Sequence, residues 1–410
     1  MQMILVLKHS YKKSHPFYKE LDKLCFLSKN LYNSTLYTVR QHYFETHKYL
    51  NYNVVNKLFT DNKQVDYCAL PRKVSKITQQ LVDKSFKSFF ALLKLKQKGE
   101  YDEPINIPNY LDKVKGRQVV HYDKQALSFK AKEGFVKLSG TNIYIPLTND
   151  ITKDIVRYVR IVPKPHNIID VEIGYKTEVP ETEYNNRVAS IDLGINNLAT
   201  VTSNVFSPFI INGKPLKSIN QYYNKHIADL KSFQMLKGNK KSTNRIKVLT
   251  RKRNNKVTDY MHKATRLITN HLVSHNISLL VIGYNKGWKQ DVNMSKKNNQ
   301  KFVQIPFLKF INLLTYKCRL AGIMVVTNEE SYTSKCSFLD QEPIQKHSTY
   351  LGRRVKRGLF RTFDRNYINA DVNGSYNIMK KYLITQEAWN ENIFSNCVEA
   401  CSTPVVFTIK

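Results

Sequence analysis

The stretch that most constrains this chain is Val188-Ala189-Ser190-Ile191-Asp192-Leu193-Gly194-Ile195. Its first four residues have the character of a buried strand, and a carboxylate then meets a glycine turn. A carboxylate in that position carries a desolvation penalty unless a cation neutralises it. Magnesium is the usual partner in proteins that handle phosphodiesters. Downstream, residues 198–203 read as the returning arm of a hairpin, and 219–233 and about 245–274 read as helices. Strand-like 277–282 and 323–327 bracket a helix over 307–321, and a last helix covers about 371–382. This alternation predicts an α/β domain whose parallel strands extend an antiparallel hairpin. Asp371, at the start of the last helix, is a second candidate acid; capping the helix N-terminus, worth ~1 kcal/mol, is the plainer role for it.

The chain ahead of this domain changes texture twice. Residues 3–7 read as a short strand. After His15-Pro16, Leu21, Leu24, Cys25, Leu31, Leu36 and Val39 recur at helical spacing to about residue 50. Ile77, Leu81, Phe86, Phe89, Phe90 and Leu93 do the same over 75–98, between Pro71 and Gly99. These aromatics read as core, with base stacking the sharper alternative. Short β-like runs then follow between 118 and 175 at about ten-residue spacing, the pattern of a small antiparallel barrel. The expected division is 1–12 with 104–183 as a β-barrel domain, 13–103 as an inserted helical domain, 184–382 as the α/β domain, and 383–410 as a poorly ordered tail.

Lys and Arg number 65 against 32 Asp and Glu, a net charge of +33 in 410 residues. Such an excess calls for a polyanion: nucleic acid first, an anionic membrane second. The 42% hydrophobic content excludes a disordered basic tail. No apolar run reaches the ~18–20 residues that span a bilayer, no signal-peptide pattern opens the chain, and the six cysteines are scattered. A secreted or integral-membrane protein is therefore not expected, and a reducing cytoplasm is. Lys237, Lys240, Lys241, Arg245, Lys247, Arg251, Lys252, Arg253 and Lys256 form one nearly single-signed run, and Arg353, Arg354, Lys356 and Arg357 another. Both are candidates for phosphate contact, with a solvated helix face the alternative. Trp288 and Lys289, in a polar glycine-flanked loop, read as a nucleic-acid contact or as loop packing. His262 reads as a packing residue.

The motif from Ser190 to Thr200 resembles the TnpB family of transposon-encoded, RNA-guided DNA endonucleases, the ancestors of type V CRISPR effectors. So do Asp259-Tyr260-Met261-His262-Lys263, Tyr332-Thr333-Ser334-Lys335-Cys336 and Asn369-Ala370-Asp371-Val372-Asn373-Gly374-Ser375-Tyr376-Asn377-Ile378. Lys29-Asn30-Leu31-Tyr32-Asn33 and Ile107-Pro108-Asn109-Tyr110-Leu111 extend the likeness over about residues 1–382. The resemblance implies an RNase H-like (RuvC) nuclease domain over 184–382, a wedge-type small β-barrel and a helical recognition lobe inserted in that barrel. It implies a guide RNA derived from the transposon end, double-stranded target DNA cut beside a short transposon-adjacent motif, and two Mg²⁺ ions. A monomeric ribonucleoprotein in a prokaryotic cytoplasm, on the nucleoid when DNA-bound, goes with it.

Two departures from the family pattern stand out. The family's second catalytic glutamate falls at Gly283, which binds no metal. Residues 323–327 should form the strand beside 279–282, and that strand runs into Asn328-Glu329-Glu330. Adjacent strands lie ~4.8 Å apart, so a glutamate reaching across a glycine could refill the place. Glu330 is preferred over Glu329 because strand neighbours point to opposite faces. The expected catalytic and Mg²⁺-binding set is thus Asp192, Glu330 and Asp371. The zinc ribbon, about 333–365, keeps only Cys336, and His347 does not complete four ligands, so no zinc is expected and a basic loop fills its place. The alternatives are a nuclease-inactive, RNA-guided DNA-binding repressor and an unguided resolvase or transposase.

Overall fold

The computed structural model describes residues 2–130, 132–148, 150–236, 238, 242–285, 287–288, 295–390 and 402–409. The chain divides into two compact units at residues 177/178.

In the first unit, β1 (Gln2–Lys12) is followed by α1 (Tyr18–Thr46), α2 (Tyr52–Asp61), α3 (Val65–Cys68) and α4 (Arg72–Gln97). Then come β2 (Val120–Asp123), β3 (Leu127–Ser128), β4 (Phe135–Leu138), β5 (Tyr144–Pro146), β6 (Val156–Lys164) and β7 (Ile168–Glu178). The strands form two sheets, ordered β1-β7-β6-β2 and β3-β4-β5. The opening strand thus lies beside β7, and the helices are inserted between β1 and β2. Leu21, Leu31 and Phe86 from the helices share one core with Tyr122, Leu138 and Ile161 from both sheets. Two expectations change accordingly. The single barrel is two short sheets, and the helical and β segments, expected as separate domains, bury their apolar faces in each other. Residues 104–116 form no helix or strand, turn at 113–115, and are strapped to α1. Asn33 bonds the N–H and the carbonyl of Leu111, both at 2.9 Å, and the buried Lys29 donates to the Lys113 carbonyl at 2.7 Å.

The second unit contains β8 (Val188–Leu193), β9 (Asn197–Ser203), β10 (Phe209–Asn212), α5 (Lys214–Leu236), α6 (Asn244–Ser274), β11 (Leu279–Gly283), α7 (Lys296–Gln304) and α8 (Phe307–Leu320). After them come β12 (Met324–Asn328), β13 (Arg353–Lys356), β14 (Leu359–Arg361), β15 (Tyr367–Asn369), α9 (Ala370–Thr385) and β16 (Val405–Phe407). The main sheet has the order β12-β11-β8-β9-β10-β16. β8, β9 and β10 are antiparallel, and β11 and β12 add in parallel, as the alternation of elements predicts.

The two faces of this sheet are covered differently. Ala189, Ile191, Leu193, Leu280 and Ile282 pack with residues of α6 and α8, whereas Val188, Leu279 and Val281 pack with α9. Strand alternation therefore sends Ser190 and Asp192 to the α9 side. Small residues let that helix come close. Ser190 Oγ lies 2.8 Å from Thr202 Oγ1 and donates to the Ser375 carbonyl at 2.7 Å, and Ser375 Oγ lies 2.9 Å from Thr202 Oγ1.

Two further expectations are corrected. The basic segment after residue 352 is not a loop: β13, β14 and β15 form an antiparallel sheet, with Phe360 and Ile368 buried beneath it. The far part of the tail is ordered, because β16 pairs in parallel with β10 and Phe407 packs on the core; residues 391–401 lie outside the described residues. Among the described residues no helix is long and apolar enough to cross a membrane.

Candidate active site

Asp192 is the penultimate residue of β8, opposite Thr200 of β9. Its carboxylate faces α9 where that helix carries Gly374: a Cβ there would stand 3.0 Å from Asp192 Oδ2. Burial, then the charges of Asp371 and Glu330, push the Asp192 carboxyl well above the usual carboxylate range, while Arg354 pulls it back. Asp192 thus feels the charges of both other expected acids.

Asp371 sits in the first turn of α9 but does not cap it. The cap is Asn369, whose Oδ1 accepts from the N–H groups of Asp371 and Val372 at 3.0 and 3.3 Å. With capping done elsewhere, the Asp371 carboxylate is free to face the sheet. Asn197 Nδ2, from β9, donates to Oδ2 at 2.7 Å, and the Arg354 guanidinium approaches Oδ1 at 3.1 Å. Arg354 shares a register row with the buried Phe360 and Ile368; it is exposed like Arg353 and Lys356, yet its guanidinium reaches Asp371.

Glu330 follows β12 and leans across β11. Its Oε2 lies 2.8 Å from where a Cβ of Gly283 would be. Burial, then the charge of Glu329, raise its carboxyl to about 7. Glu329 points elsewhere. Burial would raise it too, but Lys381 and Ser331 bond its carboxylate and hold it below its ordinary value.

Three residues that sequence reasoning missed fix Glu330 in place. Asn285 Oδ1 accepts from the Glu330 N–H at 3.1 Å, and its Nδ2 reaches Oε1 at 3.5 Å. Asn377 Nδ2 donates to the carbonyls of Thr333 and Cys336, and Asn373 Nδ2 to that of Cys336, all within 2.9 Å. The last two stand four apart on α9, so one helix face ties down the loop that carries Glu330. The Asn-x-x-x-Asn spacing inside the Asp371 motif was the available signal.

Among the described residues no three His, Cys, Asp or Glu side chains already stand close enough to hold a metal ion. The donor set nevertheless fits a hard divalent cation. Two partly buried acids are held towards their protonated forms for want of positive charge, and two glycines, at 283 and 374, leave the space that their carboxylates enter. Cys336 is buried with its thiol 3.6 Å from the Gln345 carbonyl, and His347 Nε2 lies 2.8 Å from the Pro343 carbonyl.

The expected nucleic-acid residues divide. Arg245, Lys247 and Lys252 project from α6 into solvent, Arg251 is half-buried, and Arg353, Lys356 and Arg357 are exposed around β13. The Arg253 guanidinium instead donates to Asn220 at 2.7 Å and to the Gln304 carbonyl at 3.0 Å, tying α5, α6 and α7 together. Trp288 packs edge-on or tilted against Tyr284, Phe302 and Phe307, in keeping with its loop-packing alternative. Lys237, Lys240, Lys241 and Lys289 lie outside the described residues.

Comparison with known proteins places this geometry in context. Residues 169–289 match the OrfB_IS605 family, described as a probable transposase, and residues 307–378 match the Cas12f1-like TNB domain. The TnpB-like protein ORF457 of Acidianus two-tailed virus is 24% identical over 398 residues, covering 88% of this chain and 83% of that protein. Among solved structures, Cas12f1 in complex with single-guide RNA and target DNA superposes with a TM-score of 0.54 at 14% identity, covering 88% of this chain and 82% of that one. That likeness concerns the fold, a mixed helix-and-sheet architecture.

Proposed function

The chain is a TnpB-family protein, and on that premise we propose that it is an RNA-guided DNA endonuclease of a transposable element. It would cut double-stranded DNA beside a short transposon-adjacent motif, guided by RNA from the transposon end. Residues 178–410 are read as the RuvC-like nuclease, with the RNase H-like strand order of an antiparallel hairpin extended by parallel strands. The sheets of residues 2–177 are read as the wedge and their inserted helices as the recognition lobe. The solved relative is a complex with guide RNA and target DNA, and a net charge of +33 suits this chain to such polyanions. Base pairing supplies the sequence specificity in such an assembly, and the protein reads backbone and shape.

The observation that carries the reading is the seat of Glu330 over Gly283, which returns a third carboxylate to a site otherwise one ligand short. Asp192, Glu330 and Asp371 would together hold Mg²⁺, which when bound supplies an activated water and charge neutralisation at the leaving 3′ oxygen. The protein's own residues do the positioning. β8 presents Asp192 at a strand end, Asn369 frees Asp371 from capping, and Asn285 fixes Glu330. Arg354 balances Asp371 and, on leaving it, offers a planar guanidinium to a phosphate.

The test is plasmid cleavage by the purified ribonucleoprotein with Mg²⁺. Glu330→Ala, Asp192→Ala and Asp371→Ala should each abolish cutting while guided binding persists, and Glu329→Ala should cut. Wild-type cutting by both glutamate variants would refute the relocated ligand. Guided binding with no cutting by the unmodified protein would make it a repressor.

A further inference from the structure

The sheet face opposite α9 carries an open groove of about 790 Å³ between α6 and α8. An adjoining hollow of about 320 Å³ continues it, sharing Arg266, Asn270, Ser274 and Lys317. No aspartate or glutamate lines either one.

Lys317 is the unusual member. It is only 5% exposed, and its Nζ donates at 2.7 Å to the His262 carbonyl and at 2.7 Å to Thr265 Oγ1. Both acceptors are neutral. An ammonium in such surroundings is disfavoured unless an anion faces it. Burial, and after it the charge of Arg266, push Lys317 down to about 8. Among the described residues neither Lys317 nor Arg266 has a carboxylate partner. Lys263, which also lines the groove, is paired with Asp259 at 2.9 Å on the same helix. Among the described residues, Arg266 and the buried Lys317 thus face the groove with no carboxylate to balance them.

We propose that this groove binds the phosphodiester backbone of a nucleic-acid strand, with Arg266 at its rim and Lys317 as its buried contact. Its length favours a polymer over a single phosphate. From His262 to Ser274, α6 advances ~18 Å, room for several phosphates at ~3.4 Å of helix axis each. Asn270, Ser274 and Tyr316 add neutral hydrogen-bonding groups along it. The inference takes from the reading above only that the chain binds nucleic acid, and it is independent of the carboxylates on the other face.

The test is therefore run without divalent ions, so that a dead nuclease and an idle groove give different results. The full-length chain, in EDTA, is titrated with a fluorescent 20-nucleotide RNA and, separately, a 20-base-pair DNA duplex, at ~50–200 mM salt. Lys317→Met and Arg266→Gln should each weaken binding severalfold and flatten the log–log salt slope, by ~0.7 for the single strand or ~0.9 for the duplex. A change seen with RNA alone assigns the groove to the guide. A change seen with DNA alone assigns it to the target, and a change with both assigns it to either backbone. Unaltered slopes with both probes overturn the proposal, even if Lys317→Met shifts Tm, because that is the result for a merely structural lysine. Should Lys317→Met not fold, Arg266→Gln and Arg266→Glu, at an exposed position, decide the question on the same slopes.

Discussion

Adding one methyl group at Gly283 tests the seat of Glu330 directly. The Cβ of Gly283→Ala would fall 3.1 Å from Ile378 Cγ1, closer still to Ile378 Cδ1, and 2.8 Å from Glu330 Oε2. Carbon atoms rest ~3.5–4.0 Å apart, so something must move. Ile378 is 1% exposed and wedged between α9 and the sheet, so it yields poorly. Overpacking of this kind costs ~1–3 kcal/mol, which in a unit of this size lowers Tm by about 2–12 °C. The two collisions are separable. Ile378→Val removes Cδ1 at a cost of ~0.5–1.5 kcal/mol. The double variant Gly283→Ala/Ile378→Val should then be about as stable as Ile378→Val, a coupling of ~1–3 kcal/mol in a double-mutant cycle. Cleavage should stay low in the double variant, because the methyl still crowds the carboxylate. Thermal melts and plasmid cleavage on the same four proteins read both effects. If cleavage returns together with stability, Gly283 serves only the helix. If Gly283→Ala melts and cuts like the wild type, Glu330 does not sit where the reasoning puts it.

Asn285→Ala removes the bond that holds the Glu330 backbone, an interaction of ~1–1.5 kcal/mol. The Mg²⁺ concentration for half-maximal cutting should rise about five- to tenfold with no loss of guide affinity; an unchanged Mg²⁺ requirement would leave Asn285 a loop residue. Arg354→Ala removes the cation that competes for Asp371, so Mg²⁺-induced stabilisation in thermal melts should appear at up to about fivefold lower concentration, the range of an exposed ion pair. Unchanged or higher midpoints would count against that competition. Lys317 has a folded-state value of about 8 against an ordinary 10.5, so the unfolded chain holds more protons between those limits and stability rises with pH across them. The gain is about 3 kcal/mol, read as the difference between wild type and Lys317→Met in denaturant titrations at pH 7.5 and 10.5; no difference would mean that Lys317 titrates normally.

The legible parts of this protein were those in which one residue's chemistry conflicts with its local pattern. Asp192 stood out because an apolar strand does not end in a carboxylate without reason, and the alternation of Val188, Ser190 and Asp192 already fixed its face. Asp371 was ambiguous until the neighbouring Asn369 proved to be the cap, a distinction that depends on backbone angles at residue 369. Asn373 and Asn377 left only a spacing as their signal, because their partners are backbone carbonyls of another loop, and Asn285 left none. Trp288 stayed open between nucleic-acid contact and loop packing because its aromatic neighbours Phe302 and Phe307 lie further along the chain. Those arrive from downstream helices, and one of them, Lys296–Gln304, is too polar to announce itself. The shared core of residues 2–177 escaped for a similar reason: periodicity tells which face of a helix is greasy but not which sheet it meets.

The asparagines of α9 give this helix a double cargo. Asp371 rides on its first turn, and through Asn373 and Asn377 it also tows the loop bearing Glu330, while Asp192 stays anchored in β8. A small slide of α9 along the sheet would therefore carry two of the three acids together against the third, like the moving jaw of a vice.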